Sequence, residues 1–381
     1  MRKEINDAYE LTNEELARYA RHISLEEIGV RGQKILKESS VLCIGSGGLG
    51  SPIIIYLAAA GIGRIGIVDF DIVEESNLQR QVIHGNNAVG RLKVDSARER
   101  ILEINPNCEV NTFEEILNKN NAIEIIKEFD IICDCSDNFP TKYLINDACV
   151  ILDKPMIYGS IAKFEGHASV FNLNSRSPNL RDLIPEPPAS ELLPSCSEGG
   201  VIGVLPGIIG LIQATEVIKI ILNIGDTLDG RLLVFNALKM KFKELNIKSN
   251  GTKNYINKLI EYEGFYFNKR ELTKINSIEN ISIKDLQCLL ESGINNLLLI
   301  DVRSESEHKL KSIENSKLFP LNTINDESSI PTIRKLGKGK KIYVHCKTGK
   351  RSIQAILKLK EEGINCINVE GGIEAWEKEN M

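Results

Sequence analysis

A short apolar strand, Ser40 to Ile44, runs directly into Gly45-Ser46-Gly47-Gly48-Leu49-Gly50, and an apolar helical stretch follows through Ala60. No other feature of the chain restricts its fold as much. Glycines at this spacing let the backbone turn from strand to helix within a few residues. They leave N–H groups and a helix N-terminus facing a common space that suits a phosphate. Upstream, Thr12 with Glu15 has the form of a capping box, opening a helix over Glu14 to Ser24. Downstream, a strand at Ile65 to Asp71, a helix at Val94 to Ile104 and a buried strand at Asp130 to Cys135 continue the alternation. That order predicts an α/β domain with a mostly parallel sheet and right-handed crossovers, covered on both faces.

The chain has 381 residues, which implies two folded units. Five of its twelve prolines fall within residues 178–194, so a long functional loop is expected there, neither helix nor central strand. A helix over Gly199 to Leu222 and a strand pair over Arg231 to Leu245 complete a first domain at 1–245. Residues 246–277, rich in Asn, Lys, Tyr and Gly, are expected to be a linker. A second, smaller α/β domain follows at 278–381, with strands at Asn296 to Val302 and Lys341 to His345 and a helix from about Ser352.

With 47 basic and 52 acidic residues the net charge is −5, which gives no basic excess for nucleic acid or anionic membranes. The most apolar stretch, Val201 to Ala214, is broken by glycines, Pro206 and Gln213. The first residues have no signal-peptide core, so a cytoplasmic enzyme is expected. Nine cysteines are too few for a disulfide scaffold. Cys43, Cys133 and Cys135 read as buried strand thiols, whereas Cys196 and Cys346 sit in loops where a thiol can work.

The glycine turn alone would serve NAD, FAD or ATP, and Asp69 stands where an acidic residue can hold a ribose. The residues after it separate these options. Ser76-Asn77-Leu78-Gln79-Arg80-Gln81 and Gly90-x-x-Lys93 set two cations beside the turn, as a triphosphate with a departing pyrophosphate requires. Asp137, with Asn138 beside it, ends a later strand, and its oxygens suit Mg²⁺. Together with Arg18-Tyr19-x-Arg21, Asp69-Phe70-Asp71 and Cys135-Ser136-Asp137-Asn138, these motifs resemble the ThiF/MoeB family, relatives of ubiquitin-activating enzymes, over about residues 12–245.

The resemblance implies a Rossmann-like domain that adenylates the C-terminal glycine of a small ubiquitin-like sulfur carrier. Gly48, Asp69, Asn77, Arg80, Lys93 and Asp137 would then hold ATP and its Mg²⁺, with Ser76, Leu78, Gln79 and Asn138 beside them. Arg21 would reach across a homodimer to the neighbour's nucleotide. The loop cysteine of the family corresponds to Cys196, ahead of Gly199, positioned to form a thioester or an acyl disulfide. Many relatives hold zinc with two C-x-x-C pairs. Here Asn179 and Asp182 occupy one pair of positions and no cysteine lies between Cys196 and Cys288, so zinc is not expected and packing should hold the loop.

In the second domain Val344-His345-Cys346-Lys347-Thr348-Gly349-Lys350-Arg351-Ser352 ends a strand with a cysteine in a basic glycine turn. Successive backbone N–H groups and the charges of Lys347, Lys350 and Arg351 would favour a thiolate or persulfide. With Leu299-Ile300-Asp301-Val302-Arg303 and Val369-Glu370-Gly371-Gly372-Ile373-x-x-Trp376, this half resembles the rhodanese family. The resemblance makes Cys346 the persulfide carrier, and its four-residue spacing to Arg351 goes with sulfur transfer. Asp301 and Arg303 are expected to brace the fold.

Adenylation makes a carboxylate electrophilic and a persulfide supplies sulfur, so the two halves together imply conversion of a Gly-Gly-ended carrier to its thiocarboxylate. The sulfur would come from thiosulfate or a cysteine desulfurase, for molybdopterin, thiamine or tRNA thiolation. A dinucleotide-dependent oxidoreductase with an attached rhodanese module is the rival, but it leaves Arg80, Lys93 and Asp137 without roles. A second rival, a rhodanese half that only binds a partner, leaves the intact C-x-x-x-x-R loop without one.

Overall fold

The computed structural model describes residues 10–185, 200–260, 262, 278–291, 296–321, 323–324 and 328–379. The chain divides into two compact units, Met1–Tyr266 and Phe267–Met381. In the first, eight strands form one sheet: β1 (Ser40–Ile44), β2 (Arg64–Val68), β3 (Glu109–Phe113), β4 (Ile131–Asp134), β5 (Met156–Ala162), β6 (Glu165–Phe171), β7 (Arg231–Asn236) and β8 (Lys241–Asn246). They lie in the order β3-β2-β1-β4-β5-β6-β7-β8. The first five are parallel and the last three turn antiparallel. This is the mixed α/β architecture expected, with helices on both faces of a mostly parallel sheet. The interior strands carry Val, Leu, Ile and Cys on both faces because neither face meets water. All six residues of β8, the edge strand, are exposed, and its Lys241 and Lys243 discourage pairing with another chain.

The capping box is present, with Thr12 accepting from the Glu15 amide and Glu15 returning the bond. The helix it starts breaks at Tyr19 instead of running to Ser24, because the Tyr19 ring turns into the core, where its hydroxyl receives a hydrogen bond from Asn105 Nδ2 (2.9 Å). The helix expected from Gly199 begins at Val204 and ends at Leu222. Before it, Val201 bridges Lys163, whose N–H donates to the Gly200 carbonyl and whose carbonyl accepts from the Ile202 N–H. This helix is long and apolar enough to cross a membrane. Here it packs against the helix Gly50–Ala60 and strands β5 and β6, and Gln213 is consumed by the carbonyls of Asp134 and Ile157.

Two expectations near the proline-rich stretch need correction. A one-turn helix, Leu180–Leu183, fits between Pro178 and Pro185 because Asn179 and Asp182 form a capping box around it. Residues beyond Asn246 also form structure with this unit. Thr252–Tyr255 makes a 3₁₀ turn, and the Tyr262 hydroxyl donates to Asp147 (2.6 Å), which also takes a bidentate pair from Arg181. Asp182 joins the two segments. Its Oδ1 accepts from the Asn250 amide and the Thr252 hydroxyl, both at 2.9 Å, while Oδ2 accepts twice from Asn179. Hydrogen bonds are thus added to packing at the positions where many relatives hold zinc.

The second unit has five parallel strands: β9 (Asn280–Ile281), β10 (Leu297–Asp301), β11 (Lys317–Leu318), β12 (Lys341–His345) and β13 (Ile367–Val369). Their order is β11-β10-β12-β13-β9. The helix after β12 starts at Lys350, two residues before the expected Ser352.

Asp182→Ala strands four donor bonds at a partly exposed site, so the expected loss is about 1–2 kcal/mol of first-unit stability. Urea unfolding followed at Tyr143 and Tyr262 would measure it, and an unchanged midpoint would show that the clamp contributes nothing.

Candidate functional sites

Strands β2, β1 and β4 deliver the glycine turn, Asp69 and the Ser136–Asn138 loop to the same carboxyl edge. The crossover from β1 goes to β2 on one side while β4 lies on the other, and open parallel sheets bind ligands at such a switch point. Within the turn, a Cβ on Gly50 would collide with the Gly45 carbonyl, so glycine is required there. Gly48 faces Pro206 and the Arg80 stem. Asp69 Oδ2 accepts from the amide (2.8 Å) and hydroxyl (2.9 Å) of Ser46, and Oδ1 accepts from the Asp71 amide (3.0 Å). The aspartate therefore braces the turn first. Oδ2 is filled by its two bonds from Ser46, whereas Oδ1 has one acceptor site left, where a ribose hydroxyl would add.

Asp71 holds the buried Lys93 ammonium at 2.9 Å. Asn77 is buried and caps its own turn by accepting from the Glu74 amide (3.2 Å), while Ser76 donates to the Glu74 carboxylate. Arg80 donates to the Ser76 carbonyl at 3.2 Å. Gln79 lies against Gly203, where no side chain would fit, which seats the Ser76–Arg80 segment against the start of the helix Val204–Leu222; Leu78 lies within the same segment. Asn138 caps the helix Phe139–Ile151 through Thr141, so of the pair it is Asn138 that has the capping role. The Asp137 carboxylate is exposed and takes one long bond from Asn138 (3.4 Å). Among the described residues no group of three or more His, Cys, Asp or Glu forms a metal cage. Asp137 fits Mg²⁺ in the way that ion is usually held, by one carboxylate with phosphates and water completing the shell. Arg21 is exposed on the helix Ala20–Ile23. Cys196 lies outside the described residues.

Sequence reading gave no role to three groups. Lys142 and Asp134 form a fully buried ion pair (2.8 Å) below the loop, and Lys142 also donates to the Gly159 carbonyl. Burial alone would depress Lys142, but Asp134 outweighs it and holds the ammonium above its usual range. Gln81 is buried beside Gly47, and its Oε1 has no hydrogen-bond partner among the described residues. His84 is buried between Ser46 and Ser96. A lone Lys, Gln or His in a loop or helix carries no periodic signal, and only the fold brings Gln81 and His84 to the turn and Lys142 to the end of β4.

In the second unit Cys346 follows β12 and is 1 % exposed. Its Sγ receives the Gly349 N–H at 3.1 Å, and the Ser352 hydroxyl lies 3.6 Å away. Ser352 is closer to Asn368 Oδ1 (2.6 Å), and Asn368 is itself oriented by donating to Asn280 (2.8 Å). Gly372 at φ +56° lies where a side chain would strike the carbonyls of Cys346 and Lys347. Of the expected nest of successive amides, the Gly349 N–H is one donor to the sulfur. The expected cationic collar is amended. Arg351 forms a bidentate pair with Glu307 (2.8 and 2.7 Å) and Lys347 meets Glu374 at 3.0 Å. Burial would raise Glu307, but the Arg351 guanidinium overcomes this and holds the carboxyl at about 2. Thr348 is exposed, and the Lys350 side chain lies outside the described residues. Asp301 and Arg303 form a buried pair at 2.6 Å, which His308 joins at 2.9 Å, so they brace the fold as expected.

Comparison with known proteins identifies the families of both parts of the chain. Residues 19–255 match the ThiF family and residues 282–379 match the rhodanese-like domain. The chain is 44% identical over 380 residues to the "Probable adenylyltransferase/sulfurtransferase MoeZ" of Mycobacterium tuberculosis, covering 98% of this chain and 96% of that protein. It is 38% identical over 382 residues to "Adenylyltransferase and sulfurtransferase MOCS3" of Drosophila yakuba, covering 96% and 84%. Among solved structures, E. coli MccB with ATP has a TM-score of 0.54 at 22% identity, covering 66% of this chain and 75% of that one. PaaA has a TM-score of 0.55 at 24% identity, covering 64% and 78%. These two share the fold. The chain belongs to the ThiF family and carries a rhodanese-like domain after it. It is an adenylyltransferase and a sulfurtransferase.

Two measurements follow from the geometry. Gly50→Ala should abolish ATP binding by calorimetry while sulfur transfer from thiosulfate through Cys346 persists; intact ATP affinity would refute the close approach at Gly45. The second concerns pH. Burial, with the Lys93 charge adding to it, pushes His84 down to about 4, and burial pushes His345 down to about 4 as well. Their ordinary value is 6.5, so below that pH the unfolded chain binds the protons first. Stability is therefore full above pH 6.5 and is lost as pH falls towards 4. By pH 5 each histidine should cost about 2 kcal/mol. Denaturation midpoints should fall between about pH 7 and 5, less steeply for the second unit in His345→Gln; a flat profile would count against both neutral rings.

Proposed function

We propose that the first unit adenylates the C-terminal glycine of a ubiquitin-like sulfur carrier of the MoaD or ThiS type, ending in Gly-Gly, and that the second unit converts it to a thiocarboxylate. The observation that carries this reading is the pairing, in one chain, of a phosphate-type turn flanked by Arg80 and Lys93 with a strand-end cysteine in a tight loop. The near full-length likeness to proteins named for both activities supports it. Gly48, Asp69, Ser76, Asn77, Leu78, Gln79, Arg80, Lys93, Asp137 and Asn138 are assigned to ATP, Asp137 to its Mg²⁺, and Arg21 to the neighbour's nucleotide in a homodimer.

In the first step the glycine carboxylate attacks the α-phosphate of ATP and pyrophosphate leaves, giving an acyl-adenylate. Fixed cations stabilise the charge that gathers on the phosphates. Cys346 accepts a sulfur atom from thiosulfate or a cysteine desulfurase and becomes a persulfide. Its terminal sulfur attacks the acyl carbon and AMP leaves, producing an acyl disulfide. A thiolate, assigned to Cys196, then attacks Cys346 Sγ, forms a disulfide with it and releases the thiocarboxylate. An external dithiol reduces that disulfide, supplying two electrons. Fusion of the two sites raises the effective concentration of persulfide near the adenylate. The carrier serves molybdopterin, thiamine or a related pathway in the reducing cytoplasm.

Carrier-dependent exchange between pyrophosphate and ATP tests the adenylation, and mass spectrometry of the carrier tests the sulfuration. Cys346→Ala should leave exchange unchanged and abolish the thiocarboxylate. If no Gly-Gly-ended carrier elicits exchange, the substrate assignment fails. If Cys346→Ala still yields thiocarboxylate, the persulfide assignment fails.

A further inference from the structure

We propose that His84 is a positioning residue for ATP, a neutral strut that holds the Ser46–Gly47 peptide of the glycine turn in the orientation the nucleotide requires. His84 follows Arg80 by four residues and is buried. Its Nε2 lies 3.2 Å from the Ser46 carbonyl and its Nδ1 lies 3.0 Å from the Ser96 hydroxyl. A carbonyl can only accept, so Nε2 carries the proton. A neutral ring then accepts at Nδ1 from the Ser96 hydroxyl. Burial together with the Lys93 ammonium favours that neutral form, against the weaker pull of Asp69.

Peptide geometry links this bond to the nucleotide. In a planar trans peptide the N–H points opposite to the C=O. Holding the Ser46 carbonyl towards His84 therefore turns the Gly47 N–H away from it, out of the protein core. Asp69 fixes the other side of Ser46 through its amide and hydroxyl. Among the described residues His84 makes the one hydrogen bond to the Ser46 carbonyl, so its loss would free that side for a flip that presents an oxygen to the incoming phosphates in place of an N–H. Such donors are effective only when they are oriented beforehand. Ser96 lies on the helix begun by Lys93, so the same strut also sets the distance between the turn and that cation.

Calorimetric titration of ATP into the full-length chain tests the assignment. His84→Phe keeps the ring volume and removes both bonds; it should weaken ATP binding about tenfold and raise the KM for ATP. His84→Gln, whose amide can donate to the Ser46 carbonyl, should recover affinity to within about threefold of the native chain. Sulfur transfer from thiosulfate through Cys346 should be unchanged in both. Native affinity in His84→Phe, or equal losses in Phe and Gln variants, would overturn the proposal. If His84→Phe does not fold, spectra of the native protein labelled with ¹⁵N-histidine decide. A neutral Nε2–H ring for His84 near neutral pH supports the strut, and an Nδ1–H or charged ring refutes it.

Discussion

In a parallel sheet every strand passes its following loop to the same edge, and both units of this chain put their chemistry there. In the first unit the carboxyl ends of β1, β2 and β4 bring together a glycine turn, an acidic brace and the Asp137 loop. In the second, the end of β12 presents Cys346. Side chains that are far apart in sequence become neighbours because of this one constraint. The antiparallel strands β6 to β8 carry none of the residues assigned to ATP.

The groups that hold each site in shape are charged and buried. Lys142 with Asp134, and Arg303 with Asp301, sit where an unpaired ion would cost several kcal/mol. Such pairs add little net stability compared with a hydrophobic core. Their effect is to punish alternative arrangements, since moving either partner leaves a charge stranded. Lys142 also donates to the Gly159 carbonyl, and Gln213 to the carbonyls of Asp134 and Ile157, so the end of β4 and the first half of β5 are tied together beneath the loop that carries Asp137.

Much of this was legible in the sequence because it is local. The glycine turn, the order of strands and helices, and the strand-end cysteine depend on residues within one turn of each other. The span of β12 was readable to the residue, since Lys341 to His345 is apolar and bounded by glycine and a loop. What was not legible depends on distant partners. Asp69 turned out to brace Ser46, which required knowing that β1 and β2 are adjacent. Glu307 neutralises Arg351 across 44 residues, so the loop's basic character overstated its net charge. The early break at Tyr19 and the helix at Leu180–Leu183 were decided by contacts with Asn105 and by a cap, against helix periodicity in one case and proline content in the other.

The bridge from Asp182 to Asn179, Asn250 and Thr252 has a chemical corollary. An enzyme that handles sulfane sulfur exposes its own surface to a reagent that attacks thiolates and strips soft metals from them. Amides, a hydroxyl and a carboxylate are inert to that reagent. At this joint the protein is therefore protected from sulfuration by the very species it is built to transfer.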